Sequence, residues 1–290
     1  MKKGKIFKLI LSYNGTNFHG WQIQRNSISK SRTIQGEINR AFSQLCSVDI
    51  SEIKTLGSGR TDSGVHAIGQ VCKLILPIEL PLKAILNGGN SLLDPDIRII
   101  EAHLSSEDFH PVRDAFWKEY QYFFTLESKN FQVDPLFPFL KDKIVYLPHK
   151  NLDIETIQES MDVFLGTHDF QNFRCQGTNT LTTTRTIYFI DLIKVPTNNL
   201  FTNLNPSYYV FRIVGNGFLK QMVRLMVGSL WELGEKKIKR KDIESYLLAK
   251  EFLKSKLAPT APAHGLYLKE VNYQAPFEHV ITSKPSLKVK

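Results

Sequence analysis

Residues 53–76 read "IKTLGSGRTDSGVHAIGQVCKLIL". Ile53–Leu56 opens this stretch as a short strand candidate. Gly69–Leu76 closes it as a second strand, with Cys72, Leu74 and Leu76 on one face. Between them residues 57–66, "GSGRTDSGVH", hold three glycines, an arginine, an aspartate and a histidine with hardly any apolar side chain, so this is a loop. A strand rather than a helix follows it, which removes the helix N-terminus that a phosphate cradle needs. Gly59-x4-Gly64 keeps the glycine spacing of a nucleotide-triphosphate loop, but Val65-His66 stand where Lys-Ser/Thr must be. Gly57, Gly59 and Gly64 also miss the dinucleotide spacing G-x-G-x-x-G.

Working outward, the start "MKKGKIFKLILSYNGTNF" alternates Ile6, Lys8 and Ile10 against Phe7, Leu9 and Leu11. No small-residue cleavage site follows, so it reads as a strand and not a signal peptide. "QRNSISKSR" (24–32) reads as a long flexible loop. Thr33 then caps a helix with Ile34, Ile38, Ala41, Phe42 and Leu45 on the 3.6 period. Downstream, Pro81 starts a helix (Leu82, Ile85, Leu86) ending near Gly88-Gly89, and "DIRIIEAHL" (96–104) is another strand. The order is β-α-β-β-α-β.

The second half repeats it, with a strand at 115–126, a helix at about 152–165, strands near 184–194 and 207–214, and a helix at about 217–233. A short helix near 241–249 and a strand at 266–273 close it. Two tandem βαββαβ units predict an α+β fold of two ferredoxin-like halves. Joined edge to edge, they would form one extended, mostly antiparallel sheet, with helices on one face and an active-site cleft on the other. The halves are 1–108 and 109–273, and 274–290 reads as a basic, poorly ordered tail.

With 42% hydrophobic and 22% charged residues the chain has an ordinary globular composition, and no run approaches a membrane span. Cys46, Cys72 and Cys175, odd in number and without a CxxC, fit a reducing cytoplasm and neither a disulfide framework nor a zinc site. The net charge of +9 suits a polyanionic partner, RNA or DNA first among them. Asp62, His66, His110, His168 and Asp169 show no metal-ligand spacing, so no metal is expected. His66, His110 and His264 each flank a turn, where a ring that bonds backbone is unremarkable.

Three groups of residues carry candidate chemistry. In the loop, Asp62 is either a plain turn residue or a presented carboxylate. Arg60, two residues away, favours its ionised form, which suits a nucleophile or electrostatic stabiliser. In "KEYQY" (118–122), Lys118, Tyr120 and Tyr122 share one strand face, either an exposed platform for stacking a base or the edge of a core. In "GNGFLKQMVRLMVGSL" (215–230), Phe218, Met222, Leu225 and Ser229 form an inward stripe of the helix. Gly217, Gln221, Arg224 and Gly228 form the adjacent one. This puts Arg224 at the rim of a buried face, the candidate partner for Asp62.

These residues have a family likeness. "GRTDSGVHAIGQV" (59–71) resembles the active-site motif of the tRNA pseudouridine synthase A family. "YNGTNFHGWQIQ" (13–24), "FHPVRDAFWKEYQY" (109–122), "FLGTHDFQNF" (164–173), "GNGFLKQMVR" (215–224) and "APAHGLYL" (261–268) resemble its other blocks, in the same order. The resemblance implies isomerisation of uridine to pseudouridine at positions 38, 39 and 40 of the tRNA anticodon stem-loop, without metal or cofactor, by a homodimer. Asp62 matches the catalytic aspartate, Tyr120 the active-site tyrosine, Arg224 the basic residue paired with the aspartate, and Arg60 the arginine that assists base flipping. Lys118 and His66 are further substrate-binding candidates. Ser63 departs from the alanine usual beside the aspartate. The alternative is a non-catalytic RNA-binding module or tRNA chaperone, against which Asp62 argues, since a carboxylate repels phosphate.

Overall fold

A computed structural model of the chain describes residues 5–24, 31–126, 137–147, 151–175, 180–195 and 208–277. In chain order the elements are β1 (Lys5–Tyr13), α1 (Ile34–Cys46), β2 (Lys54–Gly57), β3 (His66–Leu76), α2 (Gly89–Leu92), β4 (Ile97–Leu104) and β5 (Trp117–Leu126). Then follow α3 (Phe137–Leu140), β6 (Val145–Leu147), α4 (Ile154–Ser160), β7 (Gly166–Asp169), β8 (Thr184–Val195), β9 (Tyr208–Gly215), α5 (Met222–Gly234), α6 (Arg240–Leu248) and β10 (Leu266–Asn272). The fold is α+β, with ten mostly antiparallel strands and six α-helices among the described residues. None of these helices is long and apolar enough to cross a membrane. The chain divides into two compact units, Met1–Lys118 with Leu268–Lys290, and Glu119–Tyr267.

In the first unit the strands run β4-β1-β3-β10, with β2 also paired to β3. The order 4-1-3-2 within β1–β4 is that of a ferredoxin-like βαββαβ unit. The register sets Phe7 opposite Leu74 and Leu9 opposite Cys72, so two apolar rows share a face. Phe7, Leu9, Leu11, Cys72, Leu74 and Leu76 are all 0% exposed, as are Ile34, Ile38 and Phe42 of α1. Each large side chain so buried contributes about 1.5–3 kcal/mol. Thr33 does cap α1, its side chain accepting from the Gly36 N–H at 3.2 Å. The helix ends at Ser47, in the left-handed region at φ 55°.

The segment after Pro81 departs from expectation. A wide π-type turn over Ala84–Gly88 runs directly into α2, so the glycine pair continues the helix instead of ending it. Gly89 is right-handed helical, at φ −58°. A Cβ there would lie 2.6 Å from Ile99 Cδ1, and one at Gly88 would lie 2.8 Å from Leu45 Cδ1. The glycines serve close packing rather than a left-handed cap.

Where the sequence placed boundaries at 108 and 273, the compact units divide at 118 and 267. Residues 109–118 stay with the first unit because the end of the chain returns to them. Phe109 packs edge-on to Tyr273 at 5.2 Å, Tyr273 donates to the Pro111 carbonyl at 2.6 Å, and the Phe116 N–H donates to the Asn272 carbonyl. Lys8 lies over the Tyr273 ring at 4.3 Å, and Trp117 packs against Phe277. Residues 274–277 are therefore part of the packed unit, not of a loose tail. Residues 278–290, like 25–30 of the loop read at 24–32, lie outside the described residues.

In the second unit the order is β5-β9-β8-β7, with β6 parallel to β5. Its core is aromatic: Phe124 stacks on Phe211 at 5.4 Å, and Trp231 of α5 meets both Phe124 and Tyr122 edge-on. The helix read at 152–165 is α4 followed by a tighter 3-10 turn, Met161–Phe164. The helix read at 217–233 starts only at Met222. Gln221 before it takes φ 63°, a left-handed conformation that breaks any helix through 217–221.

Candidate functional site

The loop between β2 and β3 is built from a buried polar floor. β3 begins at His66, three residues before its expected start, so the loop is short and closed at both ends. Ser58 prolongs the β2–β3 ladder, its N–H donating to the Val71 carbonyl at 2.8 Å. Beyond it the backbone leaves the sheet. The Thr61 carbonyl accepts from the Trp21 N–H at 3.1 Å, and the Asp62 carbonyl accepts from the Val65 N–H at 3.1 Å, closing a turn over Gly64. Gly64 needs its glycine, since its φ is +77°. Gly20 does so twice over, with φ +83° and a Cβ position 2.5 Å from the Thr61 carbonyl oxygen. On this frame Arg60 is exposed and Asp62 half-buried, so a carboxylate and a guanidinium are presented two residues apart.

The two remaining candidates of this unit sit deeper. His66 is 1% exposed, and its Nδ1 accepts from the Gly15 N–H at 3.0 Å. Lys118 is 7% exposed and donates to the Ser58 carbonyl at 2.6 Å. Ser63, unexplained in the sequence, donates its hydroxyl to the Phe18 carbonyl at 3.2 Å, a bond alanine would lack.

In the second unit Tyr120 is 8% exposed and meets Phe218 edge-on at 5.0 Å. Tyr122 is fully buried, its hydroxyl donating to the Pro262 carbonyl at 2.8 Å, and burial pushes its phenol well above the ordinary value. The face shared by Lys118, Tyr120 and Tyr122 is thus a core face and not an exposed stacking platform. The opposite face carries Glu119, bonded to Arg212 at 2.9 Å and to Gln121 at 2.9 Å.

Arg224 lies on the first turn of α5, half-buried. Its Nε donates to the Ala261 carbonyl at 2.7 Å, while its own carbonyl accepts the Ala261 N–H at 3.1 Å. Its charge acts on both Tyr122 and His264, so these groups form one electrostatic cluster. Phe218, Gly217 and Gln221 precede the helix instead of lying on its stripes, for the reason Gln221 supplies. Gly228 does mark a close contact: a Cβ there would lie 2.0 Å from the Pro259 carbonyl oxygen. Among the described residues no three His, Cys, Asp or Glu side chains gather as metal ligands would.

Four residues of the floor escaped the sequence reading: Tyr13, Ser58, Thr61 and Gln70, all under 7% exposed. Gln70 had a usable signal. It shares strand parity with Cys72, Leu74 and Leu76, so it is a polar side chain on an inward face, and such a group must be hydrogen-bonded.

Comparison with known proteins agrees with the family likeness. A family model described as tRNA pseudouridine synthase matches residues 9–111 and 161–274. The "tRNA pseudouridine synthase A" of Leuconostoc citreum is 36% identical over 92% of this chain and 96% of its own length. Those of Acetivibrio thermocellus, at 36%, and Ligilactobacillus salivarius, at 37%, also span 92% of this chain, covering 98% and 96% of their own lengths. Matches of this length and identity across both units leave one conclusion: the chain belongs to the tRNA pseudouridine synthase family.

Proposed function

We propose that the protein isomerises uridine to pseudouridine at positions 38, 39 and 40 of the tRNA anticodon stem-loop. Asp62 is the catalytic carboxylate, Arg60 assists flipping of the target, Tyr120 contacts the base and Arg224 pairs with the aspartate. The observation that carries this reading is the presentation of Asp62. A half-buried carboxylate sits on a hydrogen-bonded loop, two residues from an exposed arginine, within the motif that carries the family likeness. The likeness of the other motifs supports joining Tyr120 and Arg224 to the same reaction.

The reaction breaks the C1′–N1 glycosidic bond, turns the uracil over, forms a C1′–C5 bond and moves the C5 proton off the base as N1 gains one. Attack on ribose C1′, attack on base C6 and a glycal-like route all start from the carboxylate form of Asp62. Taking the uridine out of its stack costs a few kcal/mol, offset by phosphate contacts of a chain carrying +9 and by the space Arg60 fills. In this reading the Tyr120 phenol oxygen takes the C5 proton, while its ring stays packed edge-on to Phe218. His66 and Lys118, the further substrate-binding candidates of this reading, are bonded to the Gly15 N–H and the Ser58 carbonyl. The reading also includes a cytoplasmic homodimer, which sedimentation of the purified protein checks.

The test uses unmodified tRNA transcripts, without added metal or nucleotide, and maps pseudouridine by chemical labelling. Modification confined to 38–40 is expected, together with none by Asp62→Asn, which still binds tRNA. Undiminished modification by Asp62→Asn removes the role of the carboxylate, and modification elsewhere than the anticodon arm removes the site assignment.

A further inference from the structure

We infer that Gln70 is a positioning residue for the Asp62 loop, acting through Gly59, Ser58 and the Tyr13–Thr61 hydroxyl pair; this rests on the function proposed above. The carboxamide is 0% exposed and uses both its ends. Its Nε2 donates to the Gly59 carbonyl at 2.9 Å and to the Tyr13 hydroxyl at 3.3 Å, while its Oε1 accepts the Ser58 hydroxyl at 2.7 Å. The Tyr13 hydroxyl, which accepts from Gln70, is in turn hydrogen-bonded to Thr61 Oγ1 at 2.8 Å. One side chain thus fixes residues 58 and 59 directly and residue 61 through one relay. Lys118 adds a clamp from below at the Ser58 carbonyl.

The consequence falls on Arg60 and Asp62. Arg60 lies between Gly59 and Thr61, and Asp62 follows Thr61, so the network pins the backbone on both sides of Arg60 and directly before the carboxylate. Thr61 is held twice, by its hydroxyl and by its carbonyl on the Trp21 N–H. Only an amide fits. A carboxylate at residue 70 would face the Gly59 carbonyl oxygen with no N–H to offer, and leucine would take this partner from the Gly59 carbonyl and the Ser58 hydroxyl and leave Tyr13 only its bond to Thr61. Burial pushes the Tyr13 phenol up to about 12, so the relay stays protonated through the working pH range.

The test compares Gln70→Leu, Thr61→Val and Thr61→Ser with the native protein in two assays, steady-state kinetics on tRNA transcripts and hydrogen exchange of loop amides 59–65. Small displacements of a reacting group cost up to about 100-fold in rate, so Gln70→Leu is expected to lose roughly 10- to 100-fold in kcat with KM within about twofold. Thr61→Val should lose kcat in the same way and Thr61→Ser, which keeps the hydroxyl, should restore it. Loop protection should fall in Gln70→Leu and Thr61→Val alone. Retained kcat in both Gln70→Leu and Thr61→Val overturns the inference, and so does a loss confined to KM. Should the native protein leave uridine untouched while the loop loses protection in Gln70→Leu, the proposed function falls and the loop-holding role stands. Should Gln70→Leu fail to fold, the Thr61 pair decides: equal kcat in Thr61→Val and Thr61→Ser overturns the relay.

Discussion

Replacing Gly228 by alanine sets two effects of opposite sign against each other. On helix propensity alone the change stabilises α5 by about 1 kcal/mol, because glycine loses more backbone freedom. Packing opposes it. The new methyl carbon would lie 2.0 Å from the Pro259 carbonyl oxygen, far inside van der Waals contact, and the atom in its way is backbone. The segment Pro259–Ala261 must therefore move off the helix. Overpacking of this kind costs about 1–3 kcal/mol. The movement also stretches the two hydrogen bonds between Arg224 and Ala261, each contributing about 0.5–1.5 kcal/mol. The packing side wins, and Gly228→Ala is expected to destabilise the second unit by about 2–4 kcal/mol, lowering its melting point by roughly 5–15 °C. Urea unfolding followed by far-ultraviolet circular dichroism measures it. Activity should fall further than the unfolded fraction explains, since Arg224 loses its support. A midpoint unchanged or raised would mean that propensity governs this position and that the Pro259 contact is not a constraint.

Two other outcomes follow from charge. Affinity for tRNA should drop about a thousandfold or more between roughly 50 and 200 mM salt if six or more phosphates are neutralised, and a flat titration refutes a phosphate-dominated interface. His264 gives a pH signature. Burial lowers its imidazole below the ordinary value of 6.5, against the Asp142 carboxylate and with the help of the Arg224 charge. The unfolded chain then takes up the proton first, so this contribution to stability is complete above the ordinary imidazole value and is lost as pH falls below it. His264→Gln should flatten the loss measured between about pH 7 and 5, and superimposable curves for the two proteins refute the role of burial.

Strand and helix periodicity carried most of the architecture. The alternation Phe7, Leu9, Leu11 and the Thr33 cap were readable because both are local: one depends on side-chain parity, the other on three residues. What escaped was decided by distant contacts. Gly88-Gly89 reads as a helix end from composition, yet Leu45 and Ile99 demand small residues there for packing. Gln221 carries no sign of its left-handed backbone, since glutamine is an ordinary helix former. The strand β7, with mostly exposed residues, offers no apolar pattern at all. In the candidate site, Asp62 and Arg60 stood out because charge among glycines is conspicuous. The burial of Lys118, His66 and Tyr122 was not readable, because a polar side chain in a strand looks alike whether it faces solvent or a backbone carbonyl. The Ser63 hydroxyl found its partner in Phe18, 45 positions away.

The strip Leu268–Phe277 completes a unit whose other residues all lie before 119. During synthesis the ribosome releases β1 to β4 early, and they must wait for it while the whole second unit emerges. Glu119–Tyr267 is contiguous and meets no such delay. In the interval Gly69, against which Lys269 will lie, has an open ladder, and Trp117 and Phe109 lack the rings that cover them. The half of the protein that carries Asp62 is thus made first and finished last, and its nascent form presents an uncovered strand edge and aromatic rings to any chaperone near the tunnel exit.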